Sequence, residues 1–426
     1  MAGPFRRRRE RPGPRGNRSV SAGSRRGFVS PRSVGRVSWG GAARLVLALG
    51  LLGWVGSTLP WRDTVTWEGA HGERVSGELV GDWRAERVGF VPDPTLAHVA
   101  HLPADLRAAA RDGVSLALDR GRSTYSWRPG MPRVFGTGRP APLVTALLLL
   151  AAGFCAGITR WWRILLLARC PCTWGGAMRL TGLGMFFNLI LPGLTGGDLV
   201  KAVLVVREHP ERRADALATV VIDRLVGLWA LVLLAALSVW AGGAVFESLR
   251  LAVLGALLAA TAGVALILSA RLRGLLRFDA LLGRLPWAER VRRLEEAARV
   301  FTGRPGELVA SIVLSAANHL AIAAAVLAIA HGFGSTLGYV RTVGIVSIAN
   351  AGSAIPISPS GWGVGEALYR SLFELAGAEG AVGVAASVTY RLCLLVLGLA
   401  GGAFLLLPGG GRLRAEARRA ALEIGD

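Results

Sequence analysis

The residues most able to do chemistry in this chain are carboxylates and cations set inside apolar sequence, and they occur as two similar sets. The first set reads Pro192-Gly-Leu-Thr-Gly196-Gly197-Asp198-Leu-Val-Lys201, followed by an apolar stretch that carries Asp223-Arg224. The second reads Pro359-Ser-Gly-Trp-Gly363-Val-Gly365-Glu366-Ala-Leu-Tyr-Arg370, followed by an apolar stretch that carries Tyr390-Arg391-Leu392. Pro192 and Pro359 are 167 positions apart, as are Arg224 and Arg391, and Asp198 and Glu366 are 168 apart. Each set therefore has a Pro/Gly break ending in a carboxylate and a cation, then a hydrophobic helix with one arginine. Paired breaks of this kind in two halves of a membrane chain point to a transport site.

A charge at the bilayer centre costs roughly 2.5–3.5 kcal/mol even on the lenient insertion scale, so these charges need partners. Asp223 and Arg224 are adjacent, and neighbours on a helix do not face each other. Each needs a partner from another segment. We expect a crossed pairing between segments: Asp198 or Glu366 with Arg224, and the other with Arg391. Ordinary ion pairs, or arginines snorkelling to an interface, are the plainer alternative. The glycines at Gly196, Gly197, Gly363 and Gly365 permit tight turns and close backbone approach. A helix that starts at such a break presents N–H groups and a positive dipole end suited to a phosphate. The carboxylates could equally cap those helices. Asn188 and Asn350 precede the two breaks and Asn318-His319 lies in an apolar segment, where a structural hydrogen bond is the simplest role.

These residues are positioned by apolar spans. The chain has 426 residues, of which 52% are hydrophobic. Ala42–Leu59, Pro142–Ile158, Ala214–Ala241, Leu249–Ala270, Leu308–Ala330 and Ala381–Leu407 are each about long enough to cross a core of roughly 30 Å. Arg160-Trp161-Trp162-Arg163, after the second span, reads as an interfacial belt. Residues 173–206 and 339–378 hold the two breaks. If each break is a re-entrant hairpin, three spans and a hairpin occur twice, and the second half is inverted. The expected fold is thus an all-α polytopic membrane protein of about six transmembrane helices plus two re-entrant broken-helix hairpins in an inverted repeat (142–241 and 308–407). Irregular backbone at membrane depth is tolerated only inside protein or beside a cavity, so the hairpin tips should meet near the midplane.

The organisation that follows is a disordered Arg-rich cytoplasmic tail (1–41), a first transmembrane helix (42–59), an extracytoplasmic insertion (60–140), a transmembrane domain (141–407) and a basic cytoplasmic tail (408–426). In the insertion, Thr64–Trp67 and Arg74–Val80 alternate as strands do. Pro103–Asp112 reads as a short helix and Trp127–Pro140 as loop. A small, mostly β domain results, and it is a candidate docking surface for a protein partner.

The net charge of +21 does not require nucleic acid. Lys201 is the only lysine and there is no glutamine, a bias that drift toward GC-rich codons explains, so arginine in place of lysine carries little functional information. The arginine clusters at the N-terminus, at Arg271–Arg304 and at Arg412–Arg419 flank apolar spans, which places them and both termini on the cytoplasmic side of the cell (inner) membrane. Four cysteines, Cys155, Cys170, Cys172 and Cys393, lack zinc spacing. Gly361-Trp-Gly363-Val-Gly365 follows no strand and so is not a dinucleotide loop, and no phosphate loop, HExxH or GxSxG occurs. No catalytic residue, cofactor or metal is expected.

With these residues on the page, the chain resembles the family named after the transmembrane region of lysylphosphatidylglycerol synthases, also called flippase-like proteins. The resemblance rests on Arg160-Trp-Trp-Arg163, on Phe187 to Lys201, on Ile222-Asp223-Arg224-Leu-Val-Gly227, on Ile355 to Glu366 and on Tyr390-Arg391-Leu392, in order through residues 142–407. It implies an integral membrane protein that moves, or helps to move, a lipid between leaflets, an anionic headgroup being expected. The expected headgroup site is Asn188, Asp198, Lys201, Asp223, Arg224, Glu366, Arg370 and Arg391, with Pro192, Gly196, Gly197, Pro359, Gly363 and Gly365 at the breaks. Lys201 stands where family members commonly have arginine, and only a short basic tail follows Leu407, so lysine transfer by this chain is not expected. Relatives associated with glycosyl transfer supply one alternative, an enzyme or subunit acting on lipid-linked sugars. An ion-coupled solute transporter is another.

Overall fold

Residues 61–67, 73–119, 125–190, 196–268, 303–354 and 361–405, with isolated positions 50, 53, 57 and 274, are described by a computed structural model. The first span at 42–59, the Arg271–Gly303 elbow, both tails, Pro192 and Pro359 lie wholly or almost wholly outside the described residues.

The polar segment before the helices forms a five-stranded antiparallel sheet of order β4-β3-β2-β1-β5. The strands are β1 (Asp63–Trp67), β2 (Val75–Val80), β3 (Arg87–Pro92), β4 (Leu116–Asp119) and β5 (Tyr125–Arg128). Val65, Leu79, Val88, Phe90, Leu118 and Trp127 are buried on one face, as a period of two requires of a half-covered sheet. Helix α1 (Ala104–Asp112) covers that face with Leu106, Ala109 and Ala110 and stops at Gly113, whose φ of 64° suits glycine. Just after β3, the Thr95 amide and hydroxyl donate to Asp93 and hold its carboxyl below its ordinary value. Strands β1 and β2 fall where alternation predicts them. The stretch expected as loop, Trp127–Pro140, instead contains the end of β5 and α2 (Met131–Gly136), because Trp127, Met131 and Val134 all insert into the buried cluster beneath the sheet.

Asp63 ties this unit together. Its carboxylate accepts from the Leu79 amide at 2.8 Å, the Gly130 amide at 2.7 Å and Arg133 Nε at 2.6 Å. A buried carboxylate is tolerated when its lone pairs are matched in this way.

Among the described residues nine α-helices follow: α3 (Ala141–Leu167), α4 (Trp174–Ile190), α5 (Gly196–Glu208), α6 (Arg213–Ala241), α7 (Glu247–Leu268), α8 (Pro305–Gly332), α9 (Tyr339–Ser353), α10 (Val364–Leu375) and α11 (Gly380–Gly402). Among the described residues, five helical segments, α3, α6, α7, α8 and α11 with their short flanking turns, are long and apolar enough to cross a membrane. The protein is a helical membrane protein. Helix α3 runs nine residues past the expected end at Ile158 and takes Arg160 and Trp161 into the bundle.

Directions follow from contacts at the helix ends. The Arg139 amide donates to Gly332 O at 3.1 Å and Arg163 pairs with Glu307 at 2.8 Å, so α3 and α8 are antiparallel. The sheet sits at the end of the bundle marked by Gly332. There Phe135 meets Phe333 edge-to-face at 5.6 Å, and the Arg84 side chain lies against Gly334, whose φ is 88°.

The short helices pair as hairpins. Arg179 in α4 meets Glu208 in α5 at 2.6 Å, Gly184 lies against Gly197, and Asn188 Oδ1 accepts from the Gly197 amide at 2.9 Å. Contacts at 179/208, 184/197 and 188/197 define an antiparallel pair joined at the first break, its open end away from the sheet. Helix α9 starts just after α8 ends, α10 ends beside the start of α11, and Gly352 meets Leu368. The second pair therefore opens at the sheet end. Each short helix has 17 residues or fewer, against about 20 for a full crossing.

Candidate functional site

The two charged sets become two ion-pair clusters, each where the second helix of a hairpin begins. Arg224 lies 11 residues into α6 and Arg391 lies 11 residues into α11, which is about 16 Å along each helix at 1.5 Å per residue. That is about half the thickness of a hydrocarbon core.

In the first cluster Arg224 pairs with Asp198, the third residue of α5. Behind them is a buried network. Arg160 Nε donates to Asp223 Oδ1 at 2.8 Å and Arg160 Nη1 donates to Ser315 Oγ at 2.6 Å. Lys201 Nζ stands 3.6 Å from Asp223 Oδ2 and 3.7 Å from the centre of the Trp161 ring. Trp161 is held in turn by Thr219 at 3.3 Å. Gly227 leaves room for the Arg160 guanidinium, which a Cβ there would meet at 3.1 Å. His319 bonds the Gly227 carbonyl oxygen at 3.0 Å. Three cations thus face two carboxylates, a local excess of one positive charge.

In the second cluster Glu366 is buried and does three things. Its Oε2 accepts from the Gly363 amide at 2.6 Å, which caps α10. Its Oε1 accepts from Ser387 Oγ at 3.2 Å and stands 2.6 Å from Arg391 Nε. Arg391 Nη2 donates to the Gly361 carbonyl oxygen at 2.9 Å, and the guanidinium lies 4.8 Å from the Trp362 ring. Gly363 has a φ of 83°, a conformation glycine adopts without a Cβ penalty. Gly365 is packed against Arg391 and Ser353. Among the described residues one cation, Arg391, faces one carboxylate, Glu366, here.

The expected partners across segments are found: each arginine meets the carboxylate of its own set, Asp198 with Arg224 and Glu366 with Arg391. Asp223 meets Arg160 and Lys201. Arg370 instead pairs with Glu374 of its own helix at 3.4 Å. Asn188 holds the hairpin together rather than joining the charges. Gly196 and Gly197 open α5, and Pro192 and Pro359 fall in the stretches outside the described residues.

Arg160 and Trp161, expected in an interfacial belt, are residues of the candidate site that the sequence did not assign to it. Both are buried inside the bundle, Arg160 against α6 and α8 and Trp161 against α6. The signal was present in Ile164-Leu-Leu-Leu167, an apolar turn that extends the helix beyond the arginine. Ser315, Ser387 and Trp362 gave no such signal, because only tertiary contact brings them to the charges.

Offsets of 168 and 167 place Tyr369 where the first set has Lys201, and Tyr390 where it has Asp223. Both tyrosines are buried. The buried Lys–Asp pair of one set is a Tyr–Tyr pair in the other. Among the described residues no group of His, Cys, Asp and Glu has the arrangement of a metal site.

No curated protein and no solved structure matches the chain. A family model, that of the lysylphosphatidylglycerol synthase TM region, matches residues 131–402, which is more than half of the chain and includes both clusters. The chain belongs to the family of the lysylphosphatidylglycerol synthase TM region.

Proposed function

We propose that the protein is a lipid translocase of the cell membrane rather than an enzyme, and that the two clusters are the two gates of one headgroup path. The observation that carries this reading is the pairing of Asp198 with Arg224 and Glu366 with Arg391 at mid-depth, on hairpins that open at opposite ends of the bundle. We read residues 142–241 and 308–407 as an inverted repeat, with the sheet (60–140) outside and both termini in the cytoplasm. In such repeats one half rocks against the other around a fixed central site. A guanidinium released from its carboxylate can take a phosphate in the same bidentate way. Moving a headgroup would then keep each guanidinium paired, while a released Glu366 would still accept from the Gly363 amide and the Ser387 hydroxyl. Asn188, Lys201 and Asp223 set the shape and field of the first gate, and Gly363 and Gly365 let α10 begin tightly against Arg391.

The test is headgroup accessibility in proteoliposomes holding labelled anionic or zwitterionic lipids, quenched from outside. We expect protein-dependent access to inner-leaflet anionic lipid, reduced at least about tenfold in both Arg224→Ala and Arg391→Ala. Access that is unchanged in both variants, or absent with well-folded protein for every lipid tested, would overturn the reading.

A further inference from the structure

The two halves are not equally open. The Arg224 side chain is 63% exposed, whereas that of Arg391 is 14% exposed beneath Gly361 and Trp362. Arg224 also sits in an apolar stripe. Leu217, Val221 and Leu228 on α6 are all exposed, and at 100° per residue they lie within about 60° of Arg224 on one helix face. The corresponding positions of α11, at an offset of 167, are Val384, Val388, Arg391 and Leu395. Val384 is buried and Val388 partly buried, whereas Leu395 is exposed, so that face is covered from Val384 up to Arg391 and opens only beyond it.

An exposed guanidinium at mid-depth, on a face otherwise suited to hydrocarbon, is costly when Asp198 is its one ion-pair partner among the described residues. Asp198 leaves part of its five-donor fork unused. The remedy is a ligand with an anionic head and apolar tails. The field has the right sign, since Lys201 and Arg160 leave the cluster one positive charge in excess of Asp198 and Asp223.

We propose that the Leu217–Leu228 face of α6 is a lateral docking site for a phospholipid of net negative charge, with its phosphate on Arg224 and its acyl chains along Leu217, Val221 and Leu228. The first half is the loading half in this conformation and the second half is occluded. This rests on the translocase reading for its purpose, but binding is measured apart from transport. The nearest competing occupant is a second copy of the chain seated on the same apolar face.

The experiment is photo-crosslinking of full-length protein in nanodiscs with phosphatidylglycerol carrying a diazirine on one acyl chain, mapped by mass spectrometry. Adducts are expected to concentrate on residues 217–228 and to be competed by unlabelled phosphatidylglycerol but not by inorganic phosphate. Arg224→Gln should reduce them at least about tenfold, and Arg224→Lys should retain most of them. Asp198→Asn should increase them, because it removes the carboxylate that competes for the guanidinium. Adducts that are equally strong with diazirine phosphatidylcholine, or insensitive to Arg224→Gln in folded protein, would mean annular lipid only and would overturn the site. Protein–protein crosslinks across the same face would assign it to a second copy and also overturn it. Headgroup-selective adducts without translocation in proteoliposomes would uphold the site and sink the translocase reading.

Discussion

Asp223 is the residue on which the first cluster depends. Its carboxylate contacts both Arg160 and Lys201, and among the described residues no other carboxylate does so. Removing one member of a buried charge set leaves the others uncompensated, typically at about 3–5 kcal/mol. Asp223→Ala should therefore lower the thermal unfolding temperature in detergent sharply. Lys201→Met should cost much less, because it removes one of two cations and keeps the aliphatic stem against Trp161. Similar losses for the two variants would show that the network is not organised around the carboxylate. At the sheet, Asp63→Ala strands two amides and Arg133 together. We expect a loss of about 3 kcal/mol there, seen as faster hydrogen exchange at Leu79 and Gly130 while the helices stay protected.

At the scale of elements, the hairpins decide how the charges are held. Gly184 and Gly197 bring α4 and α5 into backbone contact, and a side chain there must push the helices apart. Overpacking of this kind costs about 1–3 kcal/mol, so Gly197→Val should destabilise the protein and weaken the Asn188 contact. The direction of the hairpin is open to a chemical test. The Arg179 and Glu208 side chains meet at its open end, so the double variant Arg179→Cys/Glu208→Cys should be joined by a short bis-maleimide crosslinker. Each single cysteine should react with an impermeant maleimide from one and the same side of the membrane. Labelling from opposite sides would mean that the segment crosses once, and the inverted arrangement would fall with it.

At the scale of the whole molecule, one buried cluster runs from the sheet through α2 into α8, α9, α10 and α11, and a second fills the end of α3, the first hairpin and the start of α6. The sheet is thus packed on the half that contains Arg391, through Arg84 against Gly334 and Phe135 against Phe333. Gly334→Val removes the positive-φ glycine and the room for Arg84, and we expect quicker proteolysis in 61–137 with the helical core intact. The sequence alone determined the membrane class, five of the spans, the two sets of charges and the breaks that precede them, because hydropathy over about 20 residues and Pro/Gly punctuation are local signals. It also required partners for Asp223, Arg224 and Arg391, since bare charges in hydrocarbon are costly. Strands β3, β4 and β5 were not legible, because short strands are fixed by the neighbours they pair with. The identity of the partners was likewise decided only by tertiary structure. Arg160 reaches Asp223 across 63 residues and Ser315 across 155, and Arg224 is left exposed while Arg391 is covered. Nothing local distinguishes those two arginines; the packing of other helices around each one does.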